Sequence, residues 1–230
     1  MERSGTSIGL ILQARLGSTR LPGKILKPLN SHSLLEHIVL RLAKLKHDAI
    51  LVIATVDNQE NNKVEVLSRR LGVACFRGSE KNVLERYYLC ARKYGFTHIV
   101  RLTGDNPFTD IEELDNLIEL HLEKGSDFSH SLSSLPIGVG AGIFTFAALE
   151  KSYHEAKLPH YLEHVDEYVL EHPGIFKISV LEVPPAKHYP DVRLTVDTEE
   201  DYQKARFIMT HASSLHLSTE EAISLCTHYA

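Results

Sequence analysis

The chain has 230 residues, 43% hydrophobic and 24% charged, with a formal net charge of -5. That is ordinary globular composition, enough for one sizeable domain with a proper core, and the acidic balance argues against a general nucleic-acid binder. Cys75, Cys90 and Cys226 lie far apart with no C-x-x-C pair, which excludes a recognisable zinc or disulfide framework. No apolar run approaches the roughly 18 residues of a membrane span, so a cytoplasmic location without a membrane partner is expected.

Strand-like and helix-like patterns alternate from the start. Ser7–Gln13 (SIGLILQ) reads as a buried strand. Leu34, Leu35, Ile38, Leu42 and Leu45 recur at helical spacing, and Ser33 with Glu36 forms a capping box at that helix start. Ala49–Thr55 is the next strand, followed by a helix over Val64, Leu67 and Leu71 closed by Gly72. Val73–Phe76 is a short strand, Val83 to Tyr94 a helix ended by Gly95, and Thr97–Leu102 another strand. Thr109 and Glu112 box a helix carrying Leu114, Leu117, Ile118 and Leu122, ended by Gly125. This order predicts a mostly parallel, three-layer α/β/α sandwich, with ligands at the strand C-termini.

The second half is less regular. Ile143–Phe146 reads as a strand, Tyr161–Glu171 as a helix, and Phe176–Val183 as a half-exposed strand, antiparallel or part of a dimer arm. Val192–Val196 is a predicted strand before a helix from Thr198, and Ser218 with Glu221 boxes the last helix. With no repeat or linker, residues 1–230 are expected to form one domain, with a dimerisation arm around 160–185 as a route to a homodimer.

Gln13–Lys24 (QARLGSTRLPGK) is the most informative segment. It follows the first strand and sets Arg15, Arg20 and Lys24 beside Gly17, Ser18 and Gly23. Glycine lets backbone N–H groups approach an anion, and three cations suit a triphosphate. A Walker A loop is excluded, because five residues separate Gly17 from Gly23 and Ile25 follows Lys24; no G-x-G-x-x-G occurs either. Two aspartates end predicted strands: Asp105 in RLTGDNP and Asp197 in LTVDTEED. Carboxylates at strand ends beside a phosphate cradle suit magnesium, which takes hard oxygen ligands. Each also has a bland reading as a turn residue or helix cap.

The run ILQARLGSTRLPGK, with G-D-x-P at Asp105, V-D-T-x-E-D at Asp197 and GSEKNVLERYY at 78–88, resembles the cytidylyltransferases that make CMP-sugars. The spore-coat-polysaccharide type is the nearest by motif, and CMP-Kdo and CMP-acylneuraminate synthetases are related. The resemblance spans about residues 7–210. It implies a nucleotide-diphospho-sugar transferase (GT-A-like) fold and a magnesium-dependent transfer of CMP from CTP to a sugar such as a 2-keto-3-deoxy sugar acid. It assigns Arg15, Lys24 and Asp105 to catalysis, and Asp105 and Asp197 to the metal. Gln13, Ala14, Arg15, Gly17, Ser18, Arg20, Lys24, Thr55, Asn82, Arg86 and Thr103 go to the nucleotide, and Gly140 and His164 to the sugar. Asn82 stands where an aspartate is usual, and the G-V-G-A-G stretch before Ile143 lacks the acidic residue relatives often carry there. His160 and His164 are four apart but lack H-E-x-x-H or a third ligand, so zinc is not expected. A GT-A glycosyltransferase would show D-x-D where Asp105 is followed by Asn106 and Pro107. A sugar-phosphate nucleotidyltransferase and a non-catalytic nucleotide-binding subunit remain as alternatives.

Overall fold

The computed structural model describes residues 5–229. Strand β1 (Ile8–Gln13) is an inner strand, third from one edge, of a seven-stranded sheet. After it come β2 (Pro28–Leu29) and β3 (His32–Ser33), a small separate hairpin, and α1 (Leu34–Leu42). The chain continues through β4 (Ala49–Val56), α2 (Asn62–Arg70), β5 (Ala74–Gly78), α3 (Val83–Tyr94), β6 (His98–Thr103) and α4 (Ile111–Lys124). Then follow β7 (Phe128–His130), β8 (Gly142–Thr145), α5 (Phe146–Glu155), α6 (Pro159–Glu163), α7 (Glu167–Glu171) and β9 (Ile178–Val180). Two helices, α8 (Glu199–His211) and α9 (Thr219–Thr227), complete the order.

The sheet order is β5-β4-β1-β6-β8-β7-β9. β5, β4, β1 and β6 are parallel, β8 pairs antiparallel with both β6 and β7, and β9 is parallel to β7. Successive side chains leave opposite faces of a strand, so the apolar strands serve two cores. Leu10, Leu12, Ile53, Val100 and Leu102 pack with α1, α2, α4, α8 and α9. Ile11, Val52, Ala54 and Ile99 pack on the other face with α3, α5, α6 and α7. The three-layer sandwich follows from that division.

Several elements differ from the expectations. Helix α4 is capped by Asp110, whose carboxylate accepts from the Glu113 N–H, one residue after Thr109. Ser218 caps α9, but Glu221 turns away to accept from the Ser213 N–H and hydroxyl. The expected helix over Tyr161–Glu171 is two pieces, broken where His164 leaves helical geometry at φ -108, ψ 100. Tyr161, Val165, Tyr168 and Val169 all reach one core, so their spacing looks the same with or without the break. Val192–Val196 is extended yet forms no continuous ladder. It bonds Ile137 on both sides of Arg193, and the Val196 N–H bonds the Asp105 carbonyl at 2.8 Å. β7 went unseen, its three residues being too few to show a period.

The segment at 160–185 folds onto the body of the protein and does not project as an arm. Tyr161, Tyr168, Val169 and Phe176 are core residues, and only Ile178–Val180 of the expected Phe176–Val183 strand pairs, parallel to β7 at the sheet edge. On the other face, the buried Lys187 ammonium draws together Asp110, Glu112 and Glu113 at 2.8–3.2 Å, fastening the loop before Val192 to α4.

Two buried imidazoles make the fold acid-sensitive. Burial pushes His37 down to about 4, with Arg41 adding to the effect, and pushes His121 down to about 4 with a contribution from His98. Because the folded values lie below the roughly 6.5 of a free imidazole, the unfolded chain binds more protons between pH 6.5 and 4. Stability is therefore complete above about 6.5 and lost as the pH falls towards 4, by at most about 3 kcal/mol per histidine. Urea unfolding across this range should show that loss, and His121→Gln should make its slope shallower by about one proton.

Candidate active site

The segment after β1 is a compact loop pinned by apolar anchors. Leu16 and Leu21 are both 4% exposed and sit in the core beneath it. The Gly23 N–H returns to the Leu16 carbonyl, and Gly23 takes the left-handed φ of 68° that glycine adopts at little cost before the short 3-10 turn at Lys24. The buried Asn61 supports the loop from α2, its side-chain oxygen accepting from the Leu16 N–H at 3.0 Å and the Thr55 hydroxyl at 3.1 Å. With these bonds made, the backbone N–H groups of Arg15, Gly17, Thr19 and Arg20 have no partner among the described residues.

Opposite the loop, two carboxylates meet. Asp105 follows β6, and the Asp105 carbonyl receives both the Val196 N–H and the Thr195 hydroxyl, which draws Asp197 alongside. The Lys24 ammonium lies between them, donating to Asp105 Oδ2 at 3.0 Å, Asp197 Oδ1 at 3.0 Å and the Val196 carbonyl at 2.8 Å. Arg20 reaches the same Asp197 oxygen at 3.1 Å, and Arg193 takes the other at 2.6 Å. Burial pushes the Asp197 carboxyl up, but Lys24, Arg193 and Arg20 together outweigh it and hold the group below its ordinary range. Thr198 caps α8 and Asp201 completes the capping box, receiving the Asp197 and Thr198 N–H groups, so the Asp197 side chain is not the cap and faces the cleft.

These groups line a cleft of about 380 Å³ at the C-terminal ends of the parallel strands. Of the sequence candidates, Gln13, Ala14, Arg15, Ser18, Arg20, Lys24, Thr103, Asp105, His164 and Asp197 line it. Five do not. Gly17 is exposed outside the cleft, where a Cβ would meet only a Glu80 oxygen at 3.9 Å. Thr55 is fully buried on Asn61, and Asn82 caps α3 by accepting from the Glu85 N–H. Arg86 is fully buried and donates to the Ser79 carbonyl, which ties down the 78–82 loop. Gly140 serves packing within the chain: a Cβ there would meet the Ser131 carbonyl oxygen at 2.9 Å. Nearby Gly138, at φ 90°, brings the backbone against Thr195. The G-V-G-A-G stretch thus packs against Thr195 at Gly138 and against Ser131 at Gly140.

The structure adds residues that motif reading missed: Thr19, Gly104, Arg101 and Glu163 in the cleft, and Asn61 and Arg193 behind it. Arg101 carried a signal, since a charge within an otherwise apolar central strand is costly to bury without a purpose. Asn61 carried none. His160 lies close to Glu167 and Glu171 across the α6–α7 break, away from His164, on the protein surface.

A loop with unbonded N–H groups beside paired carboxylates lies at the C-terminal edge of a mostly parallel sheet, the usual place of a ligand site in such folds. The sequence profile of the cytidylyltransferase family matches residues 10–226, and the chain belongs to that family. It is 38% identical over 221 residues to the spore coat polysaccharide biosynthesis protein SpsF of Bacillus subtilis, covering 94% of this chain and 92% of that protein. A cytidylyltransferase structure from Leptospira borgpetersenii superposes with a TM-score of 0.91 at 32% identity, covering 97% of this chain and 95% of that one. CMP:2-keto-3-deoxy-manno-octonic acid synthetase, in complex with CTP, shares the fold at a TM-score of 0.67 and 17% identity, over 89% of this chain and 99% of that one.

Asn61→Ala should leave the Leu16 N–H and Thr55 hydroxyl unpaired in the interior. A loss of about 1–3 kcal/mol in urea unfolding is expected, together with weaker CTP binding by calorimetry as the loop loses its support.

Proposed function

We propose that the protein transfers CMP from CTP to a sugar and releases pyrophosphate, with magnesium held by Asp105 and Asp197. The observation that carries this reading is one cleft lined by Arg15, Thr19 and Arg20, whose backbone N–H groups are unbonded among the described residues, together with the Lys24-bridged aspartates. Such a cleft offers donors for a polyanion and hard oxygens for a divalent cation within one small volume.

The donor set fits magnesium. Asp105 Oδ1 accepts no hydrogen bond among the described residues, while its partner oxygen is already aligned by Lys24. Both oxygens of Asp197 are engaged by cations, and the weakest held is Arg20, whose side chain is 61% exposed. Released from Asp197, Arg20 joins Arg15 on the phosphates. Asp105 and Asp197 would hold the ion, which would supply Lewis-acid charge stabilisation for the phosphate.

The chain's own groups do the positioning. The loop N–H groups and guanidinium groups hold the triphosphate, and Lys24 keeps the two carboxylates at a fixed spacing while adding its charge to the site. Gln13, Ala14 and Thr103, at the ends of β1 and β6, form the floor under the nucleotide. The acceptor hydroxyl oxygen forms a bond to the α-phosphorus as the α–β bridging bond breaks and pyrophosphate leaves. A surface-polysaccharide sugar, such as a 2-keto-3-deoxy sugar acid, is the acceptor; the likeness to SpsF supports that class. Residues 1–230 act as one cytoplasmic domain, and the 160–185 segment, where Leu170 and Ile175 are exposed, is the face of a homodimer.

Asp105→Asn should lower magnesium-dependent pyrophosphate release from CTP by roughly two to three orders of magnitude, the several kcal/mol that metal charge stabilisation contributes. Full activity in that variant, assayed against sugar acids and sugar phosphates, would refute the metal assignment.

A further inference from the structure

The far end of the cleft contains a cation that the nucleotide site does not use. Arg101 lies on β6 beside Ile11 of β1 and Gly142 of β8, so its side chain leaves the sheet on the face covered by α3, α6 and α7. It lines the cleft next to Thr103 and Asp105, and it is only 21% exposed. Its Nε is buried without a hydrogen-bond partner. Its one ion pair among the described residues is to Asp166 at 3.8 Å, too long for a hydrogen bond. Burial works against its charge, and Asp166 with Tyr87 and Asp105 outweighs that, yet no hydrogen bond among the described residues uses the five donors of its fork.

The α6–α7 break explains why it is there. Where the helix stops, Glu163 and His164 turn into the cleft while Val165 and Asp166 go inward. Asp166 supplies a charge that keeps Arg101 in place without occupying its fork. The arrangement puts a cation with unused donors in the same cleft as Glu163 and His164.

Resting on the cytidylyltransferase reading, we propose that Arg101 is the specificity-determining residue of the acceptor subsite and binds an anionic group of the acceptor, with Glu163 and His164 receiving its hydroxyls. The planar fork matches a carboxylate through two parallel hydrogen bonds; a sugar phosphate would present the same chemistry with a different geometry. Neutral sugars leave the guanidinium desolvated and unpaired, so they are rejected. This gives the chain a way to choose its acceptor that Gly140 does not provide.

The test is pyrophosphate release from CTP and magnesium with three kinds of acceptor probe: 3-deoxy-manno-octulosonate, a sugar 1-phosphate and the neutral parent hexoses. CTP affinity is measured separately by calorimetry. The wild type should accept a carboxylate or phosphate probe and no neutral sugar, and the accepted member tells the two anion sources apart. Arg101→Gln should raise the KM for that probe by roughly 10- to 100-fold, the worth of hydrogen bonds to a charged group, with CTP affinity within about twofold. Arg101→Lys, which keeps the charge and loses the fork, should recover part of the loss. The proposal is overturned if neutral sugars serve as well as anionic ones, if a CTP-binding wild type uses neither anionic probe, or if Arg101→Gln leaves the acceptor KM unmoved. A wild type that fails to bind CTP sinks the cytidylyltransferase reading itself. The wild-type comparison stands even where an Arg101 variant folds poorly.

Discussion

The site depends on a single ammonium group. Lys24 follows the first strand, Asp105 lies 81 residues later and Asp197 a further 92 on, yet all three meet within 3.0 Å contacts at the edge of the sheet. Two carboxylates brought this close repel each other at an effective dielectric typical of protein sites by several kcal/mol. Lys24 cancels that repulsion and, through the Val196 carbonyl, fixes the backbone that carries the second carboxylate. Without a cation at this point, the 192–197 segment would have no electrostatic reason to lie beside Asp105.

The rest of the architecture serves that meeting point. The loop before Lys24 is held from below by Leu16 and Leu21 and from the side by Asn61, and the N–H groups of Arg15, Thr19 and Arg20 beside the cleft are left unbonded among the described residues. The 192–197 segment is held by Ile137, by the close approach of Gly138 and by Lys187 at its root. Arg193 and Asp201 neutralise and cap what remains, so no bare charge is left in the interior on that side. A rigid frame with solvent-facing donors is what positioning chemistry on a phosphate requires.

Along the same cleft, the partners of the cations grade from full to sparse. Among the described residues, Lys24 has all three of its donors used, Arg20 has one partner and a mostly exposed side chain, and Arg101 has an ion pair at 3.8 Å and no hydrogen bond. Fully satisfied groups hold geometry, whereas poorly satisfied ones are available to bind. That gradient separates the framework of the site from the groups free to receive substrate.

Much of the fold was readable along the chain. Apolar runs alternating with capped, amphipathic helices specify a parallel sandwich because strand and helix periods and their end signals are local properties of sequence. Ser33 with Glu36, Gly95 and Gly125 end or start their helices as read. The loop cations and the two strand-end aspartates were also visible, since their residue types and places after apolar runs are local too. The break at His164, the pairing direction of Ile178–Val180 and the extended, unladdered course of Val192–Val196 were not. Each is decided by contacts with residues distant in sequence, which no periodicity records. The same holds for Thr55, Arg86 and Gly140, whose motif positions suggested ligands and whose partners turned out to be Asn61, Ser79 and Ser131. Sequence by itself determined which chemistry the chain carries. Only the tertiary structure decided which of those groups face the cleft, because burial and hydrogen-bond partnership are set by packing across the fold.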